Sequence, residues 1–332
     1  MSLYSETDSR FLMQGVTVQH LRFQVRAAES ILFENEPGAA LRGALYEALS
    51  KNFCSEAFGP LTPHHRETCP VCWLLAAEDA DARRGHNIPR PLTLQPPLEQ
   101  THFRPGQVMR FGVSLIGQAQ NMLPYIARAV QKMGGIGVGK GRGRFTLLTI
   151  DEVHPLLDTE RTLMNGRTVK RPTLQVTPSA VVDVADKLPH HAVTLDLLTP
   201  MRLTAQGGLA KHFEPAVFVQ RLLERCQSLA EHYAEHPPDA RRPTREDWLA
   251  AQAELLAEAA SLKVGYDCTE WVEAFSGSRR TGRASPISGL VGRVRLDGSV
   301  ARLLPWLLWG AALHVGKNAV KGSGYYRVIR AL

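Results

Sequence analysis

The tripeptide Val138-Gly139-Lys140 returns 177 residues later as Val315-Gly316-Lys317, and its surroundings return with it. Residues 137–145 (GVGKGRGRF) and 314–326 (HVGKNAVKGSGYY) each lead from an apolar helical stretch, through glycines and cations, to an aromatic residue that opens a strand-like run. The beginnings of the two stretches match as well. Val16 to Val25 alternates as a strand, Glu36-Pro37-Gly38 marks a turn, and Ala39 to Phe53 has a helical pattern. In the second half Ala192 to Leu203 reads as a strand, Gly207-Gly208 as a turn, and Pro215 to Tyr233 as a helix with proline in its first turn. These landmarks keep the same spacing to within a residue or so, which argues for two copies of one unit and restricts the chain to folds that duplicate.

A unit that opens strand-helix and closes helix-strand, with strands between, predicts an α+β chain of tandem ferredoxin-like (RRM-like, βαββαβ) domains with insertions. Val108 to Leu115 and Leu290 to Leu296 are the expected middle strands, and Pro124 to Met133 and Leu303 to Leu313 the second helices. The first domain is placed at residues 1–150 with a Cys-containing insertion at about 54–102. Linker or connecting strands follow at 151–191, and the second domain takes 192–332 with an insertion, Glu235 to Ser261, that holds most of a helical stretch from Arg245 to Leu262. A length of 332 residues suits two domains, and 44% hydrophobic with 21% charged residues excludes a disordered or collagen-like chain. The apolar run Leu303 to Leu313 falls short of the roughly 20 residues a membrane span needs and contains Pro305 and Gly310, so it reads as core, with no membrane partner. The polar start, Met1 to Arg10, carries no readable signal peptide, and the expected location is cytoplasmic.

Charge is concentrated late in the chain. Residues 276–332 hold ten Lys or Arg against the single acid Asp297, within a net charge of +7 for the whole chain. That concentration suits a polyanion, because each phosphate a cation neutralises releases condensed counterions; a solvated basic face is the alternative. The glycine-rich loops do not fit nucleotide templates. Lys140 and Lys317 precede Gly and Asn ahead of a strand, whereas a Walker A lysine precedes Ser or Thr at a helix start. Candidate nucleic-acid contacts are Lys140, Arg142 and Arg144 in the first loop and Lys317 and Lys321 in the second. Arg279, Arg280 and Arg283 in the basic stretch 276–283 join them, and Tyr325 is a stacking candidate beside its neighbour Tyr326, one of the two being expected in the core.

Five cysteines, an odd number in a long chain, do not make a secretory disulfide framework. Cys69 and Cys72 form a C-x2-C knuckle with Cys54 upstream and His64, His65 and His86 nearby. Tetrahedral zinc takes four N or S ligands, so Cys54, Cys69, Cys72 and His65 would complete a closed structural site; reduced thiols are the other reading. Cys226 and Cys268 have no partner pattern.

The duplicated unit and its terminal His-Val-Gly-Lys-x4-Gly-x-Gly-Tyr-Tyr loop resemble the RAMP superfamily of CRISPR-associated proteins, and within it the Cas6 precursor-crRNA endoribonucleases. Residues 37–45 (PGAALRGAL), 87–91 (NIPRP), 103–107 (FRPGQ), 115–117 (LIG) and 287–292 (ISGLVG) look like the same family, so the resemblance spans most of the chain. It implies binding of CRISPR repeat RNA and metal-independent cutting, with a ribose 2′-OH attacking the adjacent phosphorus to leave 2′,3′-cyclic phosphate and 5′-OH ends. No catalytic cofactor is then needed. The alternative is a catalytically silent crRNA-binding subunit of an effector complex, and other Cas subunits are expected partners in either case.

The chemistry needs a group to take a proton, one to give it back and cations to offset the phosphorane charge; histidine suits the proton steps. The family's catalytic histidine, where present, sits on or near the first helix, and here that helix has none. It offers Arg42, Tyr46 and Lys51, with Arg42 and Tyr46 four residues apart on one face. His314 beside the terminal loop is the first histidine candidate. His20 is a second, expected to be exposed on its strand from its alternation with Val18 and Arg22, and His212 a third in a loop.

Overall fold

In the computed structural model, residues 8–34, 36–56, 62–75, 88–166, 168–205, 207–277 and 284–329 are described. Alternation in the first half produces β1 (Val18–Ala27), followed by the short β2 (Ile31–Leu32) and by α1 (Pro37–Phe53), which starts at its proline. Two single-turn helices, α2 (Pro63–Thr68) and α3 (Pro70–Leu75), occupy the insertion. Then come β3 (Leu92–Gln95), β4 (His102–Phe103), β5 (Val108–Ile116), α4 (Leu123–Ile136), β6 (Phe145–His154) and β7 (Thr159–Asn165). The sheet runs β3-β5-β1-β6-β7 with antiparallel neighbours. Leu21, Phe23 and Val25 on one face of β1 are buried with Leu41, Leu45 and Leu49 of α1 and Ile126, Val130 and Met133 of α4. Those spacings are two along the strand and three to four along the helices, the periods at which side chains share a face. Phe23 stacks on Phe111 across the β1–β5 pair, ring centroids 5.4 Å apart.

Part of the stretch read as linker or connecting strands is sheet. β6 continues to His154, past the boundary placed at residue 151, and β7 adds a fifth strand by pairing with it. Alternation is weak in β7, four of whose first residues are exposed, which is why polarity suggested a linker there. α5 (Pro178–Ala185), capped by the Thr177 hydroxyl accepting from the Ala180 N–H, leads into the second half.

The second half repeats the plan with β8 (Ala192–Met201), β9 (Thr204–Ala205), β10 (Gly208–Leu209), α6 (Pro215–Tyr233), α7 (Arg245–Ser261) and β11 (Lys263–Val272). It closes with β12 (Phe275–Gly277), β13 (Ala284–Pro286), β14 (Gly289–Asp297), α8 (Leu304–Leu313) and β15 (Tyr326–Ile329). Its main sheet runs β11-β14-β8-β15. In each half the first strand lies between the third and the fourth, with the second at the edge, so both are ferredoxin-like and the chain is α+β. All ten residues of α8 are buried, which accounts for an apolar run without a polar face. Trp306 of α8 meets Trp248 of α7 with ring centroids 5.9 Å apart, so the helical insertion completes the second core.

The two halves share a seam. Phe11, Leu12, Met13, Val16, Val18 and Ile116 from the first half are buried in the same cluster as α6, α8 and β8 of the second. The Glu235 N–H donates to the Gly15 carbonyl at 2.9 Å, and Val18 pairs with Val176.

Candidate nucleic-acid interface and metal centre

The terminal glycine loop is fastened along β8 before it reaches solvent. His314 caps α8 at φ 61°, and Val315 then donates to the Gly324 carbonyl at 3.0 Å. Lys317 donates through its backbone to Arg202 and Gly324 to Pro200, each at 3.1 Å. The Thr199 hydroxyl donates to the Gly322 carbonyl at 2.8 Å and accepts from the Tyr325 N–H at 2.9 Å. What this frame presents is Lys317, exposed, and Lys321, half-buried.

The loop rests on the first half. A Cβ at Gly38, in the first turn of α1, would lie 2.0 Å from the Lys321 carbonyl oxygen, so only glycine allows this approach. Burial, followed by the charges of Arg42 and Arg90, holds the Lys321 ammonium below its usual pKa, and its Nζ donates to Ser276 Oγ at 3.2 Å. The Arg42 guanidinium lies 5.5 Å from the centre of the Tyr46 ring on the same face of α1. Residues from α1, the segment before β3 and the terminal loop therefore form one cationic patch where the halves meet. Arg90 lies within the motif 87–91, where nothing local signals its charge role; that role comes from the fold.

The first glycine loop is different. Lys140 pairs with Glu34, Arg142 with Glu47 at 3.1 Å and Arg144 with Glu29 at 2.6 Å. Hydrogen bonding from Lys51 and burial acting oppositely, with Arg142 adding its charge, leave Glu47 below the usual carboxylate range; Arg144 does the same for the exposed Glu29. Lys51 itself is 2.6 Å from Glu47. Such exposed pairs add little to stability, yet they cancel the local field. Gly139 has φ +73° and a Cβ there would come 2.4 Å from the Leu32 carbonyl oxygen, so its glycine serves packing. Among the described residues no carboxylate pairs with Lys317 or Lys321.

The histidines require correction. His20 is 2% exposed, against the expected exposure, with Nδ1 2.7 Å from Ser114 Oγ and 3.3 Å from Gln95 Nε2. Its face of β1 is covered by the second half, a contact that alternation within one strand cannot foresee. His314 is fully buried and stacks on Tyr325 at 5.0 Å. Burial pushes each pKa down to about 3, helped at His20 by His154 and at His314 by His20 and Arg225. Both rings are neutral seam residues, out of reach of a substrate proton in this arrangement. Tyr325 is also buried, as is Tyr326, whose hydroxyl donates to the Leu307 carbonyl at 2.6 Å, so neither ring is presented for stacking. His212 is exposed in the loop before α6. Arg279, Arg280 and Arg283 lie outside the described residues.

The insertion brings Cys54, His65, Cys69 and Cys72 together, with one ligand atom from each within 4.8 Å of all the others. Cys54 Sγ is 3.2 Å from His65 Nε2 and 3.9 Å from Cys72 Sγ. Cys54 caps the end of α1, His65 comes from α2, Cys69 joins the helices and Cys72 lies in α3. Tetrahedral Zn–S and Zn–N bonds of about 2.3 and 2.0 Å place ligand atoms roughly 3.3–3.8 Å apart, so the donor set fits. Burial and the neighbouring thiols push the Cys72 thiol up to about 12. Glu56, missed in the sequence, sets a carboxylate oxygen 3.6 Å from His65 Nδ1, on the side of the ring away from the sulfurs.

A family model described as CRISPR-associated endoribonuclease Cas6 matches residues 195–326, and one described as an N-terminal domain matches residues 16–176. No curated protein matches the chain in sequence. Among solved structures, a Cas6 product complex is similar with TM-score 0.56 and 14% identity over 94% of this chain and 99% of its own. Thermus thermophilus Cas6 is similar with TM-score 0.53 and 13% identity over 95% and 99%. A partial Cas6-RT-Cas1–Cas2 complex gives TM-score 0.60 and 12% identity over 97% of this chain, which spans 47% of that longer one. At these identities the likeness concerns the fold.

Proposed function

We propose that this is a CRISPR-associated endoribonuclease of the Cas6 type, the family model that matches residues 195–326, and that it binds CRISPR repeat RNA at the seam between its halves and cuts precursor crRNA there. The observation that carries this reading is the contrast between the loops: every cation of the first is matched by an acid, while Lys317 and Lys321 of the second have no carboxylate partner among the described residues, and Lys321 also feels the charges of Arg42 and Arg90. Such a field draws in a phosphate chain.

The bond to be broken is P–O5′. The 2′-OH loses its proton and its oxygen bonds to phosphorus; the leaving O5′ takes a proton, giving a 2′,3′-cyclic phosphate and a 5′-OH. Lys321, Lys317 and Arg42 offset the phosphorane charge. Lys321, with its pKa lowered by burial and by neighbouring cations, is suited to hand a proton to O5′. Tyr46, on the face of α1 that carries Arg42, is assigned to the 2′-OH side. Lys51 is tied to Glu47 and shapes this surface, while His20 and His314 hold the seam. The chemistry uses no metal, and the Cys/His cluster is a structural zinc site apart from it.

A second reading, an RNA-binding subunit that does not cut, is favoured by the burial of both histidine candidates. Incubation with end-labelled repeat RNA in magnesium-free buffer separates the two. A 2′,3′-cyclic phosphate product, lost in Lys321→Ala, supports the enzyme; retarded but intact RNA supports the binder.

A further inference from the structure

We propose that zinc at Cys54, His65, Cys69 and Cys72 sets the strength of RNA binding, acting through α3 and Arg90; this rests on the RNA-binding reading above. Arg90 is joined directly to the metal knuckle. Its Nε donates to the Leu75 carbonyl, the last residue of α3, at 2.5 Å. The strand that follows Arg90, β3, lies against the loop that carries Lys321, since a Cβ at Gly322 would come 3.2 Å from the Leu94 carbonyl oxygen, and the Arg90 charge acts on Lys321. The residue before it is held from the other half, because the Tyr233 hydroxyl donates to the Pro89 carbonyl at 2.5 Å. Trp73 of α3 packs edge-on against that Tyr233, ring centroids 5.9 Å apart. The knuckle, the Arg90 segment and the second half thus form one chain of contacts that ends at the cationic patch.

Two six-residue helices cannot hold this geometry by themselves, since helices this short are unstable without tertiary support. A closed four-ligand zinc site supplies that support directly, because its binding free energy is folding free energy. The Glu56 carboxylate lies 3.6 Å from His65 Nδ1 while Nε2 faces the Cys54 sulfur, so the ring presents Nε2 to the metal with a carboxylate on its other side, as zinc-bound histidines do. Glu56 is itself positioned by the Thr62 N–H at 3.1 Å. When the metal leaves, α3 loses its clamp, the Leu75 carbonyl no longer orients Arg90, and one cation leaves the patch.

The test measures metal content of the purified full chain by elemental analysis. It also measures repeat-RNA affinity against salt for protein as purified, chelator-stripped, and reloaded with Zn2+, for the wild type and Arg90→Ala. The expected results are one zinc per chain, affinity about tenfold weaker after stripping with a salt slope smaller by about 0.7, and recovery on reloading. Arg90→Ala, which leaves all four ligands in place, should keep its zinc, bind as weakly as stripped wild type, and lose nothing more on stripping. Unchanged affinity after stripping, or an Arg90→Ala protein that still loses tenfold, would overturn the coupling while leaving RNA binding intact. A chain that takes up no zinc overturns the metal site, and a zinc-loaded wild type that ignores repeat RNA overturns the functional reading on which both rest.

Discussion

Lys140 lies in the first glycine loop and Lys321 in the second, and they should respond differently to removal. Lys140→Ala deletes a cation already neutralised by Glu34, so RNA affinity should change less than about threefold. Lys321→Ala removes a cation with no acidic partner among the described residues; affinity should fall about tenfold and the salt slope by about 0.7, both read from filter-binding titrations at several salt concentrations. Equal effects from the two variants would show that the pairing in the first loop does not decide where RNA binds. The buried histidines give a pH prediction. Their folded pKa values, about 3, lie below the ordinary 6.5, so the unfolded chain binds protons that the folded one does not. The stability from keeping them neutral is complete above pH 6.5 and is lost as pH falls toward 3, by about 2–3 kcal/mol for each ring at pH 4. His314→Phe, which can keep the stack on Tyr325, should show a shallower fall in Tm between pH 6.5 and 4; parallel curves would rule out His314 as a source of acid sensitivity.

Elements were legible where one period dominated. Pro215–Tyr233 forms as a helix over the stretch its pattern predicts, and Val108 to Leu115 and Leu290 to Leu296 lie in middle strands. Local signals failed where burial comes from another element. β7 lies in the stretch left open as linker or connecting strands, because most of its side chains are exposed and the strand is defined by its bonds to β6. α8 shows the opposite case, apolar on every side because α5, α6, α7 and its own sheet surround it. Trp306→Ala in this helix should cost about 3–5 kcal/mol in chemical denaturation, since the ring is buried against Trp248. A loss below 1 kcal/mol would mean that α7 closes the space.

At the scale of the whole molecule, the candidate site exists only because the second half's loop lies on the first half's helix. Gly38→Ala tests that contact: its Cβ would meet the Lys321 carbonyl oxygen at 2.0 Å, and the loop or the helix must move. We expect weaker RNA binding by fivefold or more, with a stability loss of about 1–3 kcal/mol measured by thermal denaturation. Unchanged affinity would detach the seam from RNA recognition. The duplicated pattern, the late basic charge and the four metal-capable side chains are written in the chain itself, because repeat spacing, charge and the C-x2-C knuckle are local properties. Tertiary structure decided which cations of the glycine loops meet an acid among the described residues, that His20 and His314 are enclosed, and that Arg90 joins the knuckle to the terminal loop. Each of these depends on contacts between segments far apart in the chain, where burial and charge pairing are set by whatever the other half brings alongside.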